Sequence, residues 1–339
     1  MDKKIKIYLD TPISSTGRGV GYYAQFLGEA LSKLPEVEFA NENPDIIHYP
    51  YFDLFYPTLP LIKKTPSVVT IHDLTPLVLS RRYPKGIKGS INLLRQYLAL
   101  RSVKAIITDS QNSKSDIVRL LQFSPKKVFV TPLAVDPVYS KSVLSPDHKK
   151  IKATYKLPER FVLCVSAGPN PNKNLPALAR VTQRLDIPLV LVGKGLLQDI
   201  KEPVHPELKD LLEIRKYSHI VFPGFVPSKD LNAIYRLATV YCQPSLYEGF
   251  GLPLLEAMTA GCLITSSNTS SLPEIYHSGA LAFNPNDEAE MEAVIGKALS
   301  LSPSERAGQI KSGLKRSRDF SWDNTAKATL KVYKEVLCL

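Results

Sequence analysis

The stretch VYCQPSLYEGFGLPLLEAMTAG, residues 240–261, decides the fold. Its opening, VYCQPS, is a short apolar run ending in polar residues, the pattern of a buried strand. Pro253 suits the first turn of a helix, and PLLEAMTAG carries a helical pattern. A strand that passes through a glycine-bearing loop straight into a helix is the unit of a doubly wound α/β domain. In such domains ligands sit beyond the carboxyl ends of the strands.

The rest of the chain repeats that unit. KIKIYLD, DIIHYP, SVVTIHD, KAIITDS and KVFVTPLAVD read as strands in the first half. FVLCVSAG, PLVLVGKG, IVFPGF and CLITSS join VYCQPS in the second. The helical patterns between them include YYAQFLGEALSKL, NLPALARVTQRL, SKDLNAIYRLA, AEMEAVIGKALSL and TAKATLKVYKEVL. Short apolar strands alternating with helices predict parallel sheets covered on both faces. The expectation is two facing Rossmann-like domains, 1–150 and 151–320, with a cleft between them and a polar linker around 140–160. A length of 339 residues fits two domains of about 150 residues each.

Composition narrows the class. Apolar residues make up 44% and charged residues 22%, which excludes global disorder. Cys164, Cys242, Cys262 and Cys338 show no paired spacing, so neither a disulfide scaffold nor a zinc ribbon is expected, and a reducing, cytoplasmic setting is the simpler reading. The start, MDKKIKIYLD, lacks a signal-peptide core, and no apolar run approaches the length of a membrane span. The net charge of +11 is uneven: residues 1–150 hold 21 Lys+Arg against 13 Asp+Glu, and residues 151–339 hold 22 against 19. A basic first half fits an anionic partner or a merely solvated basic face. No nucleic-acid motif or aromatic–basic platform accompanies the charge. Residues 81–104 mix Arg and Lys with Leu, Ile and Tyr at helical spacing. The plainer reading is a core-facing helix with a basic outer face; the other is a helix lying on an anionic bilayer, peripheral at the inner membrane face.

Candidate chemistry lies after the strands. Gly17-Arg18-Gly19-Val20-Gly21 follows the first strand and precedes a helix, where backbone N–H groups can meet an anion. His72 ends SVVTI, placed to bind a sugar hydroxyl or to be held by its neighbour. Lys173, in PNPNKN, stands at a strand–helix junction suited to a phosphate. Gly193-Lys194-Gly195 lacks P-loop spacing. Glu248 lies in the loop after VYCQPS. The amides of Phe250, Gly251 and Leu252 start the next helix, an anion site. Glu256, in that helix's first turns, can accept both hydroxyls of a vicinal diol such as ribose.

EGFGLPLLE resembles the Glu-x7-Glu signature of family 4 glycosyltransferases, retaining enzymes of the GT-B fold. VVTIHDLTPL, ITDSQNSKSDI, VTPLAVD, VGKG, VFPGFVPSKDLNAIYRLA and SSNTSSLPE extend the resemblance over essentially the whole chain. It implies a hexosyltransferase taking a nucleotide diphosphosugar, GDP-mannose first and UDP-glucose next, to a glycan or lipid-linked acceptor in polysaccharide biosynthesis. His72, Lys173 and Glu248 become the catalytic candidates. Gly19, Arg18, Lys173, Gly224, Glu248, Gly249, Phe250, Gly251, Leu252 and Glu256 become the donor-binding ones. No DxD occurs in the chain, and the resemblance implies no metal and no cofactor. The terminal segment 321–339 is expected to form a helix crossing back to the first domain. Many relatives carry an arginine where this chain has Gly168, and some carry one at Asn172. That departure keeps open a catalytically impaired sugar-nucleotide-binding protein, beside a GT-B-fold epimerase or phosphorylase.

Overall fold

Twelve strands assemble into two parallel sheets among the described residues of the computed structural model, 4–10, 19–140, 147–198 and 208–339. In the first unit the strands are β1 (Ile5–Leu9), β2 (Val37–Phe39), β3 (Ile46–Tyr49), β4 (Ser67–Thr70), β5 (Ala105–Thr108) and β6 (Val128–Val130), in the order β2-β1-β3-β4-β5-β6. The second holds β7 (Val162–Val165), β8 (Leu189–Val192), β9 (Ile220–Gly224), β10 (Val240–Gln243), β11 (Ile264–Ser267) and β12 (Leu281–Phe283), in the order β12-β11-β10-β7-β8-β9. Every pairing is parallel, as in Val69 opposite Ile106 and Tyr241 opposite Leu163. The central strands β4, β5, β8, β10 and β11 are buried along their whole length. That is why β8 is apolar throughout (LVLV) and β4, β5 and β10 hold consecutive rather than alternating apolar residues, whereas β11 (ITSS) buries mostly polar side chains.

One edge strand of each sheet escapes the sequence pattern. β2 and β12 are three-residue edge strands, too short to show a period. Helix Pro303–Ser317 was also unread, although Ser302 and Glu305 form a capping box at its start, a signal visible in the sequence.

The first unit comprises residues up to Ala134 together with Phe320–Leu339; the second runs Val135–Asp319. The division falls ahead of the 140–160 stretch because residues 138 and 139 are tied to the second unit. Asn232 Nδ2 donates to the Val138 carbonyl at 2.8 Å, and the Tyr139 ring meets Tyr235 edge-on. Residues 141–146 of the expected linker lie outside the described residues. Helix Trp322–Leu337 belongs to the first unit. Trp322 stacks on Phe26 at 5.4 Å, Thr325 Oγ1 donates to the Pro132 carbonyl at 2.6 Å, and the Tyr333 hydroxyl bonds His48 Nδ1 at 2.6 Å. All four cysteines are free, and three of them are buried. No helix among the described residues is long and apolar enough to cross a membrane.

One helix meets the core through Leu93, Ala99 and Leu100 but leaves its most regular apolar stripe outside. Helix Gly86–Leu100 turns Gln96 and Asn92 inward, where Gln96 Nε2 donates to the Asp53 carbonyl and Asn92 Nδ2 to the Phe55 carbonyl, each at 2.7 Å. Its apolar stripe, Ile87, Ile91, Leu94 and Leu98, stands in solvent. The reading of 81–104 as core-facing holds, and what is corrected is its outer face, which carries an apolar stripe and not basic residues alone. Buried carbonyls in the 53–59 loop require donors, and Asn92 and Gln96 supply them.

Candidate functional site

Adjacency in the second sheet brings the main candidates together. β7 and β10 are neighbours, so the loops leaving their carboxyl ends run side by side. The loop after β7 makes a short 3-10 turn, Pro171–Lys173, then Asn174 turns into helix Leu175–Arg184 in the left-handed region, φ 55°. Asn174 Nδ2 holds this turn by donating to the carbonyls of Pro244 and Pro285 at 3.3 and 2.9 Å. Asn172 ties the same turn to the β10 loop, donating to the Tyr247 carbonyl at 2.9 Å and accepting from the Leu246 N–H at 2.8 Å.

Lys173 is thereby delivered onto Glu248. Its Nζ lies 2.7 Å from Oε1 and 3.0 Å from Oε2, with the side chains 16% and 10% exposed. Glu248 Oε1 also accepts from Ser245 Oγ at 2.6 Å and Gln243 Nε2 at 2.9 Å. Gln243 is braced in turn by the Tyr241 hydroxyl. The Glu248 backbone N–H donates to Ser270 Oγ at 2.9 Å, and Ser271 Oγ donates to the carbonyls of Glu248 and Phe250 at 2.9 and 3.0 Å. The carboxylate is thus fixed through both its side chain and its backbone. Motif spacing revealed Glu248 but not Gln243, Ser245, Ser270 or Ser271. Their only trace in the sequence is a polar end to each strand.

Beyond Glu248 the chain continues through Gly249 and Phe250 to Gly251, which caps helix Leu252–Thr259 at φ 103°. A Cβ at Gly251 would lie 2.6 Å from Leu272 Cδ2, so glycine is required by both backbone and neighbour. Pro253 lies in the first turn, and the helix start carries the partial positive charge that favours anions. Glu256, one turn on, receives the Tyr235 hydroxyl on Oε2 at 2.9 Å. Burial lifts its carboxyl to about 7. The hydroxyls of Tyr235 and Tyr139 work against the rise, and the nearby charge of Asp136 adds to it.

β8 and β9 supply the neighbouring loops. Gly193 packs so closely against the first loop that a Cβ there would stand 1.7 Å from the Ser166 carbonyl oxygen. Its N–H donates to the carbonyl of Gly224 at 2.9 Å, which sets the end of β9 beside the end of β8. Phe225, the next residue, is exposed. Gly168 stands where a Cβ would meet only Asn170 Oδ1, at 3.9 Å.

In the first unit, His72 and Asp109 follow the neighbouring strands β4 and β5. His72 Nδ1 lies 2.8 Å from Asp109 Oδ2, and Nε2 lies 3.2 Å from the Pro50 carbonyl. Both ring nitrogens face acceptors. Burial pulls the ring toward neutrality, but the charge and hydrogen bond of Asp109, with Asp73 and the Pro50 carbonyl, outweigh it and raise its pKa. Asp109 is buried, and its Oδ1 has no hydrogen-bond partner among the described residues. Single-sequence reading singled out the histidine and passed over this aspartate. Its signal was the matching position at the end of the next strand. Gly19 is the first residue of helix Gly19–Leu31; Arg18 lies outside the described residues.

Comparison with known proteins identifies the family. Residues 147–316 match the family "Glycosyl transferases group 1" and residues 17–139 match "Glycosyltransferase Family 4". O-antigen chain mannosyltransferase B of Escherichia coli is 31% identical over 79% of this chain and 70% of its own length. The serotype-specific mannosyltransferase WbdA of Escherichia coli is 31% identical over 89% of this chain, which spans only 38% of that protein. Among solved structures, sucrose-phosphate synthase from Thermosynechococcus elongatus superposes over 99% of this chain and all of its own, with a TM-score of 0.74 at 16% identity. Anabaena HepE, solved with UDP and glucose, gives a TM-score of 0.73 over 98% of this chain and 100% of its own, also at 16% identity.

Proposed function

The chain belongs to the group 1, family 4 glycosyltransferases, has the GT-B fold and is a transferase, and from that premise we propose that it moves mannose from a nucleotide diphosphosugar, GDP-mannose, to a glycan or lipid-linked acceptor. The reading includes retention of anomeric configuration, independence from metal, and peripheral membrane contact where the acceptor is lipid-linked. UDP-glucose is the next donor in order.

The observation that carries the reading is the Lys173–Glu248 pair at the carboxyl ends of β7 and β10. A diphosphosugar offers each partner what the other now gives it. Its phosphate takes the ammonium, and its sugar hydroxyls take the carboxylate. Ser245 and Gln243 keep Glu248 oriented through that exchange. As the glycosidic bond breaks, charge develops on the departing diphosphate. Lys173 and the amides at the start of helix Leu252–Thr259 are placed to stabilise it, doing the work that a metal does in other transferases. The departing phosphate oxygen then takes the acceptor hydroxyl proton on the same face of the sugar. Glu248, locked by four bonds to its carboxylate, positions the sugar rather than attacking it. Glu256 is assigned to the ribose diol, and His72, in the first unit, to the transferred sugar. The names of the relatives support mannose over other hexoses.

A thermal-melting panel of UDP, GDP, ADP and their common sugars tests the donor. At 100 times Kd a ligand stabilises by about 2.7 kcal/mol, so GDP and GDP-mannose should stand out. A flat panel would overturn the donor site and leave the binding protein implied by Gly168 without its ligand as well.

A further inference from the structure

We propose that the outer face of helix Gly86–Leu100 is a dock for an anionic lipid bilayer. This deepens the peripheral membrane contact of the proposed function, on which it rests, by naming the surface and the lipid charge that it meets.

The face is built in reverse of an ordinary surface helix. Ile87, Ile91, Leu94 and Leu98 fall at spacings of four, three and four, one stripe along the helix, and are 84%, 64%, 61% and 54% exposed. The polar residues that would normally face water, Asn92 and Gln96, are spent on the carbonyls of the loop beneath. The stripe extends past the helix end. Ser102 Oγ donates to the Leu61 carbonyl at 3.3 Å, which sets Leu61 and Ile62 beside it, 48% and 83% exposed. A contiguous row of large apolar side chains of this kind marks an interaction surface.

Charge selects the occupant. Residues 81–104 contain seven cations, Arg81, Arg82, Lys85, Lys88, Arg95, Arg101 and Lys104, and no acidic residue. All but Arg95 are exposed. Lys63 is not counted, since its ammonium is occupied by the Pro60 and Ala99 carbonyls and Ser102. An apolar stripe with cations alone around it complements acyl chains beneath anionic headgroups. A second copy of the same face would bring seven cations against seven.

Flotation with vesicles tests this on the full chain. The protein should float with phosphatidylcholine vesicles containing phosphatidylglycerol, far less with phosphatidylcholine alone, and be released in part by high salt. The surface double variant Ile87→Ser/Ile91→Ser should partition at least about tenfold more weakly even at low salt. Lys85→Ser/Lys88→Ser should lose about twentyfold, at roughly fivefold per cation. Absence of flotation, equal flotation on neutral vesicles, or flotation unchanged in both variants would overturn the proposal. So would a dimer in solution that the Ile87→Ser/Ile91→Ser variant abolishes. Nucleotide-induced melting shifts, measured on the same samples, read the donor site separately, so either reading can fail without the other.

Discussion

Replacing Glu256 with glutamine should make the protein more stable and a worse ligand of its nucleotide. Burial lifts this carboxyl from 4.5 to about 7. At about 1.4 kcal/mol per tenfold change in proton affinity, that is at most about 3 kcal/mol, and the side chain's partial exposure brings it to about 2 kcal/mol. The sign follows from which state holds the proton. Below about pH 4.5 the carboxyl is protonated both folded and unfolded and has no effect. As pH rises through 7 the unfolded chain gives up the proton first, so this group's share of stability is lost across that window. Glu256→Gln keeps the shape and still accepts from the Tyr235 hydroxyl, yet carries no charge. Relative to wild type it should gain nothing near pH 4.5 and about 2 kcal/mol near pH 8, or about 4–8 °C in melting temperature. Melting curves of both proteins across that range make the measurement, and only their difference matters, since every other titrating group cancels. Nucleotide binding should move oppositely. A ribose diol donates to the ionised carboxylate, so wild-type binding strengthens up to about pH 7 and releases a proton. Calorimetry in buffers of different ionisation enthalpy detects that release, and Glu256→Gln should abolish it. Parallel melting curves for the two proteins over the whole range would refute the reasoning.

Other consequences are more local. Lys173→Ala and Glu248→Gln should each lower turnover by about 10²-fold or more while the fold survives, seen as unchanged melting within a few degrees, and EDTA should leave wild-type turnover intact; full turnover in either variant would remove that residue from the mechanism. Asp109→Asn should lower the pKa of His72, because burial is then opposed only by the Asp73 charge and the Pro50 carbonyl; ring titration by NMR should show His72 above its ordinary 6.5 in wild type and clearly lower in the variant. The stability that this pair supplies is present below 6.5 and lost as pH passes the raised value, so wild type and Asp109→Asn should converge at high pH. Gly251→Ala should cost about 1–3 kcal/mol, since φ is 103° and the new Cβ meets Leu272 at 2.6 Å; melting within a degree of wild type would mean that the helix start adapts freely.

The sequence was legible where burial is complete and illegible where it is shared. Strands β4, β5, β8 and β10 are covered on both faces, and consecutive apolar residues there admit few other readings. β2 and β12 sit at sheet edges with three residues each, and nothing periodic fits in three residues. Helix Gly86–Leu100 shows a different limit. Its apolar stripe has the right spacing for a core-facing helix, and spacing says which residues share a face, not which face turns inward. What turned it was a set of loop carbonyls at Asp53 and Phe55, far off in sequence, that needed donors. Site residues divided in the same way. Lys173 and Glu248, in loops that follow strands, and Glu256, in the first turns of a helix with Pro253 at its start, were readable one loop at a time. Asp109, Gln243 and Ser245 matter only through the neighbour that adjacency in a parallel sheet gives them.

Glu248 and Glu256 are the same side chain eight positions apart, and the fold treats them as opposites. The first has a lysine 2.7 Å away and hydroxyl and amide donors at 2.6 and 2.9 Å, an environment that an anion suits. The second is bonded by the hydroxyls of Tyr235 and Tyr139 and lies near the charge of Asp136, and its carboxyl is lifted to about 7. Separated environments for paired carboxyls are a means of giving them separate tasks. Glu248 is held oriented by Lys173, Ser245 and Gln243, which under the proposed function leaves little reorganisation for the step in which the bond breaks. On the proposed ribose assignment a diol would add two donors to those of Tyr235 and Tyr139, and a ligand without the diol would forgo that gain, a basis for selectivity.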